Sequence, residues 1–396
     1  GEAVILMNGM AANGSSYGGA LSGYDGSAGT LEVAAGRKLS LTGNSASFGG
    51  TLQLDENSSL VLTGNMGAAD LCGSGSIVVN GGETVISGGN DGASLFGGTV
   101  SITGGTLRAG SDTGLGANDI TLTGGTLDIN GKSLANRIVV SGGIMTGTDN
   151  SSVGDVVVSK NFSMAGSLSA ASLAIDSGVT VSSANLTSRG NMTMGRGALL
   201  STTGTLTLTG GTSLNLTALN LTRDDASIAV IGTLAVTGDS PVSINLGDDF
   251  MSNQISEGNY TILSATGGLD LSQFEAGTSL DGTLWSEISD VYQFELALSD
   301  DRTSLFLHAS IDNNKAWQWI GVPSGTWSNG SALEWKDKDT GPEGKAVFFG
   351  AETPQDQTVQ IDESGVNPIF VQIQSNAAYT FTGGAISDYT GNGNTK

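Results

Sequence analysis

Three observations predict an all-β protein whose fold is a right-handed parallel β-helix, also called a solenoid, with a C-terminal closing β-segment. Short strands of alternating apolar and polar residues end in glycine turns, and this pattern recurs about every 20 residues. Glycine supplies 62 of the 396 residues, and charged residues make up only 13%. Ser, Thr and Asn stand where helices would favour Lys, Glu and Arg. An array of antiparallel β-sandwiches is the alternative, because sandwiches also alternate strands with turns.

The repeat is clearest in segments where an alternating strand runs into a turn of Thr, Ser or Asn followed by glycine. These segments are KLSLTGN (38–44), SLVLTGN (59–65), IVVNGGE (77–83), VSITGGT (100–106), ITLTGGT (120–126), IVVSGGI (138–144) and LTLTGGT (206–212). The first turn glycines of the first six are Gly43, Gly64, Gly81, Gly104, Gly124 and Gly142. Their spacing predicts three short strands per turn, with glycine at corners that need a positive φ. We expect about 12 turns in a rod on the order of 60 Å long.

Alternation along each strand predicts which side chains face the core. In ITLTGGTLDI (120–129), the apolar residues are Ile120, Leu122, Leu127 and Ile129. One side of the strand therefore points inward and the other meets water. Stacked turns place equivalent residues roughly 4.8 Å apart, so like charges in a column would repel each other, whereas Ser, Thr and Asn tolerate such ladders.

A change of composition near residue 250 divides the chain into three predicted segments. Residues 1–250 hold 46 of the 62 glycines and form the β-helix repeats. Residues 251–313 contain longer strands that would close the helix and cap its open edges. Residues 314–396 form a Trp-containing β unit that begins a further subdomain. The chain reads as a piece of a longer polypeptide, and few glycine corners at 150–205 leave the number of turns there open.

Charge and cysteine content exclude several classes of function. A net charge of −23 with only 15 Lys and Arg argues against binding to nucleic acid or to an anionic membrane surface. The single cysteine, Cys72, rules out an internal disulfide, and its apolar surroundings predict a small core residue. With one His and one Cys, no metal cluster is expected, and nothing in the sequence calls for a cofactor.

Three motifs look catalytic, and each is interpreted as structural. GSSYG (14–18) matches a nucleophile elbow, but no helix follows it and the sole histidine, His308, lies in an apolar strand. GDSP (238–241) lacks the glycine after its serine, and the histidine comes too late in the chain for a protease triad. The pairs Asp224–Asp225 and Asp248–Asp249 would point to opposite faces of a strand. We therefore expect a protein that is not an enzyme.

Tryptophans concentrate near the start of the last segment. Four of them are the candidate ligand-binding residues, because indole rings can stack on sugars: Trp317, Trp319, Trp327 and Trp335. The alternative is that they fill the core of a small domain. If the segment is extended, Trp317 and Trp319 share one strand face, which suits both interpretations.

Several segments carry a family resemblance. GSDTGLGANDITLTGGTLDING (110–131) resembles the autotransporter-associated β-strand repeat, also called the passenger-associated transport repeat. NYTILSATGGLDLSQF (259–274) is similar to segments that close passenger subdomains, and the WQWIG motif (317–321) with the later SGTW, EW and VFFG resembles the unit that opens the next one. The resemblance implies the passenger domain of a Gram-negative autotransporter, exported through a C-terminal barrel outside this chain. Near-absence of cysteine is compatible with such export.

In that family the β-helix commonly serves as a stalk or an adhesive surface. The resemblance therefore implies a secreted or outer-membrane surface protein that is structural or adhesive, non-catalytic, and binds a glycan or protein on host or microbial surfaces. Whether the rods also self-associate is left open. Two alternatives remain: a carbohydrate-active β-helix enzyme, either a polysaccharide lyase or a glycoside hydrolase, and a glycan-binding module centred on the Trp segment.

Overall fold

In the computed structural model, the regular secondary structure is almost entirely β-strand. Strands take up 57% of the residues, and parallel strands coil into a β-solenoid of about 15 turns. This confirms the predicted parallel solenoid over the antiparallel sandwich. The structure describes residues 4–6, 14–22, 29–88, 96–217, 227–247, 258–280, 282–285, 292–312, 315–321, 323–336, 338–350, 355–368, 370–373, 375 and 377–387.

The strands are numbered in chain order. Those before residue 150 are β1 Val4–Leu6, β2 Ser15–Tyr17, β3 Thr30–Val33, β4 Lys38–Leu41, β5 Ser45–Leu54, β6 Ser59–Leu62, β7 Met66–Gly73, β8 Ser76–Ile86, β9 Thr99–Ala109, β10 Ile120–Leu122, β11 Thr126–Asp128, β12 Ile138–Val140 and β13 Ile144–Gly147. The next group is β14 Ser152–Val158, β15 Phe162–Ile175, β16 Thr180–Ser188, β17 Met192–Met194, β18 Leu199–Thr202, β19 Thr205–Thr209, β20 Ser213–Leu216, β21 Ile228–Val230, β22 Thr233–Thr237 and β23 Val242–Leu246. The remainder are β24 Gly258–Ala265, β25 Phe274–Ser279, β26 Tyr292–Leu298, β27 Ser304–Ile311, β28 Trp317–Gln318, β29 Ser324–Trp327, β30 Ala346–Phe349, β31 Gln357–Ile361, β32 Phe370–Ile373 and β33 Tyr379–Gly383, with a 3-10 turn at Leu271–Gln273.

Successive turns stack their strands into three faces. The first face joins β2, β4, β6, β8, β9, β10, β12, β14, β15, β17, β20, β23 and β25 in parallel. The second face joins β7, β8, β9, β11, β13, β15, β16, β18, β21 and β24. The third face begins with β1, β3, β5 and β7, and its later part joins β14, β15, β16, β19 and β22. Long strands such as β15 bend around corners and so contribute to more than one face.

Register on the first face reproduces the spacing of the glycine corners. The paired positions run Leu39, Leu60, Ile77, Val100, Ile120 and Ile138. Each of them stands at the same place ahead of its own corner glycine. The same column continues through the stretch with few glycine corners, to Val156, Leu173 and Met192. Residues 150–205 are therefore ordinary turns of the solenoid in which long strands replace the short glycine corners.

An aliphatic column forms the core of these turns, as the alternation predicts. The side chains of Ile120, Leu122, Leu127 and Ile129 are fully buried. Thr121, between two of them, faces outward and is partly exposed. Each turn lays its apolar side chains onto those of its two neighbours, so no turn buries its own core alone.

The two glycines of the Thr-Gly-Gly motif have different roles at the corner. Gly125 has a φ of +66°, a conformation that strains any residue with a Cβ. Gly124 does not have a positive φ, but a Cβ there would lie 2.5 Å from the carbonyl oxygen of Thr103 in the preceding turn. The repeat pattern predicts a positive φ for the corner glycines as a group. The structure assigns it here to the second glycine, while close packing of turns requires the first.

The hydroxyl of the same motif ties each turn to the one before it. Thr123 Oγ1 donates to the carbonyl oxygen of Ile102 over 3.3 Å. Equivalent bonds run from Thr63 to Leu41, from Ser159 to Val140 and from Thr217 to Met194. Thr and Ser at this position therefore add an inter-turn hydrogen bond, worth about 1 kcal/mol on average.

The chain forms two compact units. The first comprises Gly1–Asp249, Tyr260–Asp281 and Leu296–Leu307, and the second comprises Phe250–Asn259, Gly282–Glu295 and His308–Lys396. Within the first unit the solenoid columns continue past residue 250, because β24 pairs in parallel with β21 and β25 with β23. The three-part division expected from composition stays a prediction.

The second unit builds parallel stacks of its own. One sheet contains β28, β30 and β32, and another contains β29, β31 and β33. Along the first of these sheets the turns are longer than those between Leu39 and Met192 in the first unit, since Trp317 pairs with Val347 and Val347 pairs in turn with Val371. Within the described ranges, no helix has the length and apolar character needed to cross a bilayer.

Candidate functional site

The four predicted ligand-binding tryptophans lie together in the second unit. Trp317 opens β28, Trp327 ends β29, and Trp319 forms an isolated antiparallel bridge with Trp335. Their exposed fractions are 9% for Trp317, 3% for Trp319, 0% for Trp327 and 2% for Trp335. All four belong to one hydrophobic cluster, which also contains Phe349.

Ring contacts hold this aromatic cluster together. The centroids of Trp319 and Trp335 are 5.3 Å apart at an interplanar angle of 77°, and those of Trp327 and Trp335 are 5.9 Å apart at 76°. Phe349 contacts Trp319 at 5.5 Å, Trp327 at 5.4 Å and Trp335 at 5.9 Å. Edge-to-face and tilted geometries bring the positive edge of one ring toward the negative face of another. Phe349 is therefore the centre of the cluster.

Trp317 is the most exposed of the four rings, yet it is covered by lysines. Its indole N–H donates to the carbonyl oxygen of Thr340 over 3.1 Å. The Nζ atom of Lys338 lies 4.5 Å from the ring centroid and that of Lys345 lies 5.6 Å from it, which are cation–π distances. A sugar that stacked on Trp317 would therefore have to approach a ring that already has two ammonium groups next to it.

Burial favours the core interpretation of these tryptophans. A sugar that stacks on an indole needs an open ring face, and these rings expose less than a tenth of their surface. The indole N–H groups of Trp327 and Trp335 are buried and have no acceptor among the described residues. The sugar-stacking role stays a prediction that would require the cluster to open.

The motifs that look catalytic occupy strands and bends. GSSYG surrounds β2, so its serine lies in an extended strand, whereas a nucleophile elbow needs a sharp turn. GDSP forms the bend between β22 and β23, and Gly238 within it has a φ of +92°. The pairs Asp224–Asp225 and Asp248–Asp249 lie outside the described residues. In the part of the chain that is described, no three His, Cys, Asp or Glu side chains converge as metal ligands.

Cys72 is not a core residue, contrary to the prediction. Its neighbour Leu71 is buried, and because adjacent strand residues point to opposite faces, Cys72 faces outward and is partly exposed. Partial burial raises the pKa of the Cys72 thiol, and the negative charge of Asp70 raises it further. The thiol therefore ionises less readily than a free cysteine, which makes it a poor nucleophile at neutral pH.

A polar groove on the third face was not singled out by the sequence analysis. It has a volume of about 280 Å³ and is lined by outward side chains of successive turns. One row consists of Ser167, Asn185 and Thr205, and a second row consists of Ser169, Thr187 and Thr207. Asp149 is the carboxylate among the described lining residues. We call this site the third-face groove.

The two rows of the groove differ in their hydrogen bonding. In the first row, Ser167 Oγ donates to Asp149 Oδ1 over 2.8 Å and Asn185 Nδ2 donates to Ser167 Oγ over 3.3 Å. Asn185 Oδ1 accepts from the backbone N–H of Thr205 over 2.8 Å. The second-row hydroxyls make no side-chain hydrogen bond with any residue that the structure describes.

The groove was missed because its register cannot be read where glycine corners are few. Ser169 pairs with Thr187, and Thr187 pairs with Thr207. Both steps fall within the range of spacings between the earlier corner glycines, but Ser and Thr are too common in this chain for that spacing alone to single out the rows. Their convergence in a groove is decided by tertiary structure.

The comparisons with known proteins supply no family for this chain. No protein-family model matches it, and neither the curated proteins nor the solved structures contain a match.

Proposed function

We propose that this chain is part of a non-catalytic, adhesive or structural stalk of an autotransporter-like protein on the surface of a Gram-negative cell. The observation that carries the proposal is the unbroken column of the first face, which keeps parallel register from Leu39 to Ala276. A stack of this kind offers a long repetitive surface and pairs both edges of every interior strand. Those properties suit display and attachment.

The outer surface supports the same proposal. Outward positions are mainly Ser, Thr and Asn, and the inter-turn hydroxyl bonds use atoms that the repeat itself supplies. The net charge of −23 favours solubility of such a body. Partners proposed for this surface are a glycan or a protein on a host or microbial cell, and a second copy of the chain.

A carbohydrate-active enzyme on this fold would need two carboxylates facing one cleft, roughly 5–9 Å apart. The third-face groove has Asp149 as its carboxylate among the described lining residues, beside hydroxyl and amide groups. This composition favours binding over acid–base chemistry. The Trp-centred glycan module is less favoured, because its rings are buried.

Surface display is tested on cells that produce the full-length polypeptide. An antibody raised against this chain should label intact cells, and added trypsin should remove the label without lysing them. A periplasmic protein serves as the matched control that stays protected. Labelling that requires permeabilised cells would overturn surface display.

Adhesion and catalysis are tested separately with the purified chain. Beads coated with it should attach to immobilised glycans or to epithelial cells more strongly than beads coated with heat-unfolded chain. Incubation with pectin, alginate or mucin glycans should release no new reducing ends. Turnover of any of these polymers would replace the adhesive proposal with the enzymatic one.

A further inference from the structure

The second row of the third-face groove is a track of hydroxyl groups that make no hydrogen bond within the described part of the chain. Ser169, Thr187 and Thr207 lie on neighbouring strands in register and are partly buried. Parallel strands are about 4.8 Å apart, so the hydroxyls follow one another at that spacing along the solenoid. Each hydroxyl can donate one hydrogen bond and accept two.

The track has defined ends. On one side the column continues to Ser152, whose hydroxyl lies 2.7 Å from that of Ser133 and is therefore already engaged. On the other side Thr207 pairs with Ala235, which has no polar group on its side chain. The stretch of available hydroxyls is thus limited to the groove itself.

The first row lies beside the track, on the same outer face of the sheet. Its hydrogen bonds fix Ser167 and Asn185 in place, so these side chains do not have to be ordered when a ligand arrives. Ser167 occupies Oδ1 of Asp149, which leaves Oδ2 as an acceptor. A ligand rich in hydroxyl groups would meet donors and acceptors in both rows.

We infer that the third-face groove binds a short segment of an uncharged glycan, one or two sugar units at a time. This inference rests on the proposed adhesive function and names the ligand class for it. Lining groups are neutral except for Asp149, and the whole chain carries −23, so acidic glycans are repelled.

The volume and the lining of the groove also set the expected affinity for a glycan. The groove has a volume of about 280 Å³, which is just below the roughly 300–1,000 Å³ that small-molecule clefts occupy. No aromatic ring is among the described lining residues, so stacking adds nothing and a single groove binds weakly. Many copies on one surface raise the overall affinity by multivalency.

The experiment uses the whole 396-residue chain and three neutral probes: maltotetraose, cellotetraose and triacetylchitotriose. Saturation-transfer NMR and calorimetry report binding of each probe. The test variant is Thr187→Val with Thr207→Val, which keeps side-chain shape and removes two hydroxyls of the track. The matched control is Thr121→Val with Thr126→Val, two outward threonines away from the groove.

We expect at least one probe to bind, with affinity reduced about tenfold or more in the groove variant and unchanged in the control variant. Trigalacturonate, an acidic probe, should bind at least about tenfold more weakly than the neutral probe. Circular dichroism checks that both variants fold as the parent does.

Three results would overturn the inference: no binding of any neutral probe, equal affinity in the groove variant and the parent, or preference for the acidic probe. Bead adhesion measured in parallel separates this inference from the function on which it rests. Adhesion that survives in the groove variant overturns the groove assignment alone, whereas parent beads that attach to no surface overturn the adhesive function.

Discussion

The two units stack parallel turns around cores of different chemistry. Between Leu39 and Met192 in the first unit, turns of about 20 residues surround mainly Leu, Ile, Val and Met, with a few Phe among them. In the second unit, the turns along its first sheet are longer, as the pairing of Trp317 with Val347 shows, and they surround Trp and Phe. Bulky aromatic rings therefore fill the core of the second unit, whereas smaller aliphatic side chains dominate these turns of the first.

The two cores distribute the stability that comes from side-chain packing in different ways. In the first unit each aliphatic side chain meets equivalents one turn above and below, so stability is spread along the column. In the second unit Phe349 contacts three tryptophans at once, so much of the packing depends on a few rings. Loss of one side chain should therefore be local in the first unit and general in the second.

The largest expected effect comes from truncating one residue in each core. Trp327→Ala should destabilise the second unit by about 3–5 kcal/mol and Leu122→Ala the first by about 2–5 kcal/mol, since both side chains are fully buried. Hydrogen exchange should rise throughout the second unit for Trp327→Ala but only in adjacent turns for Leu122→Ala. Leu333→Ala, at a position 86% exposed, is the control. If the rise in hydrogen exchange were equally local in both units, the proposed difference between the two cores would be wrong.

Glycine substitutions test how tightly turns stack. Gly125→Ala should cost about 2–4 kcal/mol, because φ is +66° and the Cβ would lie 2.4 Å from the carbonyl oxygen of Gly105. Gly178→Ala, with φ +71° and nothing within 4 Å, should cost only about 1–2 kcal/mol. Gly365→Ala in the second unit should have an intermediate cost in stability, because its Cβ would lie 2.9 Å from the carbonyl oxygen of Ala385. Urea-unfolding midpoints give the ranking, and a Gly178 variant as unstable as the Gly125 variant would contradict it.

The corner hydroxyls should contribute less. Thr123→Val removes the bond to the carbonyl oxygen of Ile102 and should cost about 1 kcal/mol. Thr121→Val, in the strand that leads into this corner and without a side-chain hydrogen bond in the described part of the chain, should be nearly neutral. In the second unit Thr382 bonds instead to the exposed side chain of Gln360, so Thr382→Val should also be nearly neutral. Thermal unfolding of the three variants measures these differences, and equal shifts would remove the special role of the corner hydroxyl.

The smallest expected effect concerns the reactivity of Cys72. Burial and Asp70 both raise the pKa of the thiol, so the alkylation rate should rise with pH along a curve displaced to higher pH than that of a free cysteine. Asp70→Asn removes the negative charge, lowers the pKa of the thiol and should speed alkylation about two- to threefold at fixed pH. Asp176→Asn is the matched control. An unchanged rate in Asp70→Asn would show that burial alone sets the pKa.

Much of the fold could be predicted because the repeat carries its own register. The step from one corner glycine to the next between Gly43 and Gly142 equals the step between paired residues on the first face, since each corner glycine occupies the same place in every turn. The prediction for Cys72 failed because composition around a residue does not tell which way a strand residue points. That direction is fixed by Leu71, which is held in the core.

The candidate sites could be predicted only in part. Tryptophans in a glycine-rich chain can be chosen as candidates from the sequence, but the sequence does not determine whether a ring faces a ligand or the core. In the structure all four are buried. The sequence does not distinguish Ser169, Thr187 and Thr207 as candidates, because Ser and Thr occur throughout the chain. They become a candidate site when stacking brings residues of successive turns to neighbouring strands.

By itself, the sequence determined the all-β character, the period of the turns and the alternation of buried and exposed positions, since these depend on local spacing along a strand. Tertiary structure decided which glycine of a pair takes the positive φ, which rings are covered and where polar rows form a groove. Those outcomes depend on atoms that lie one turn away, and only the stacked chain brings such atoms together.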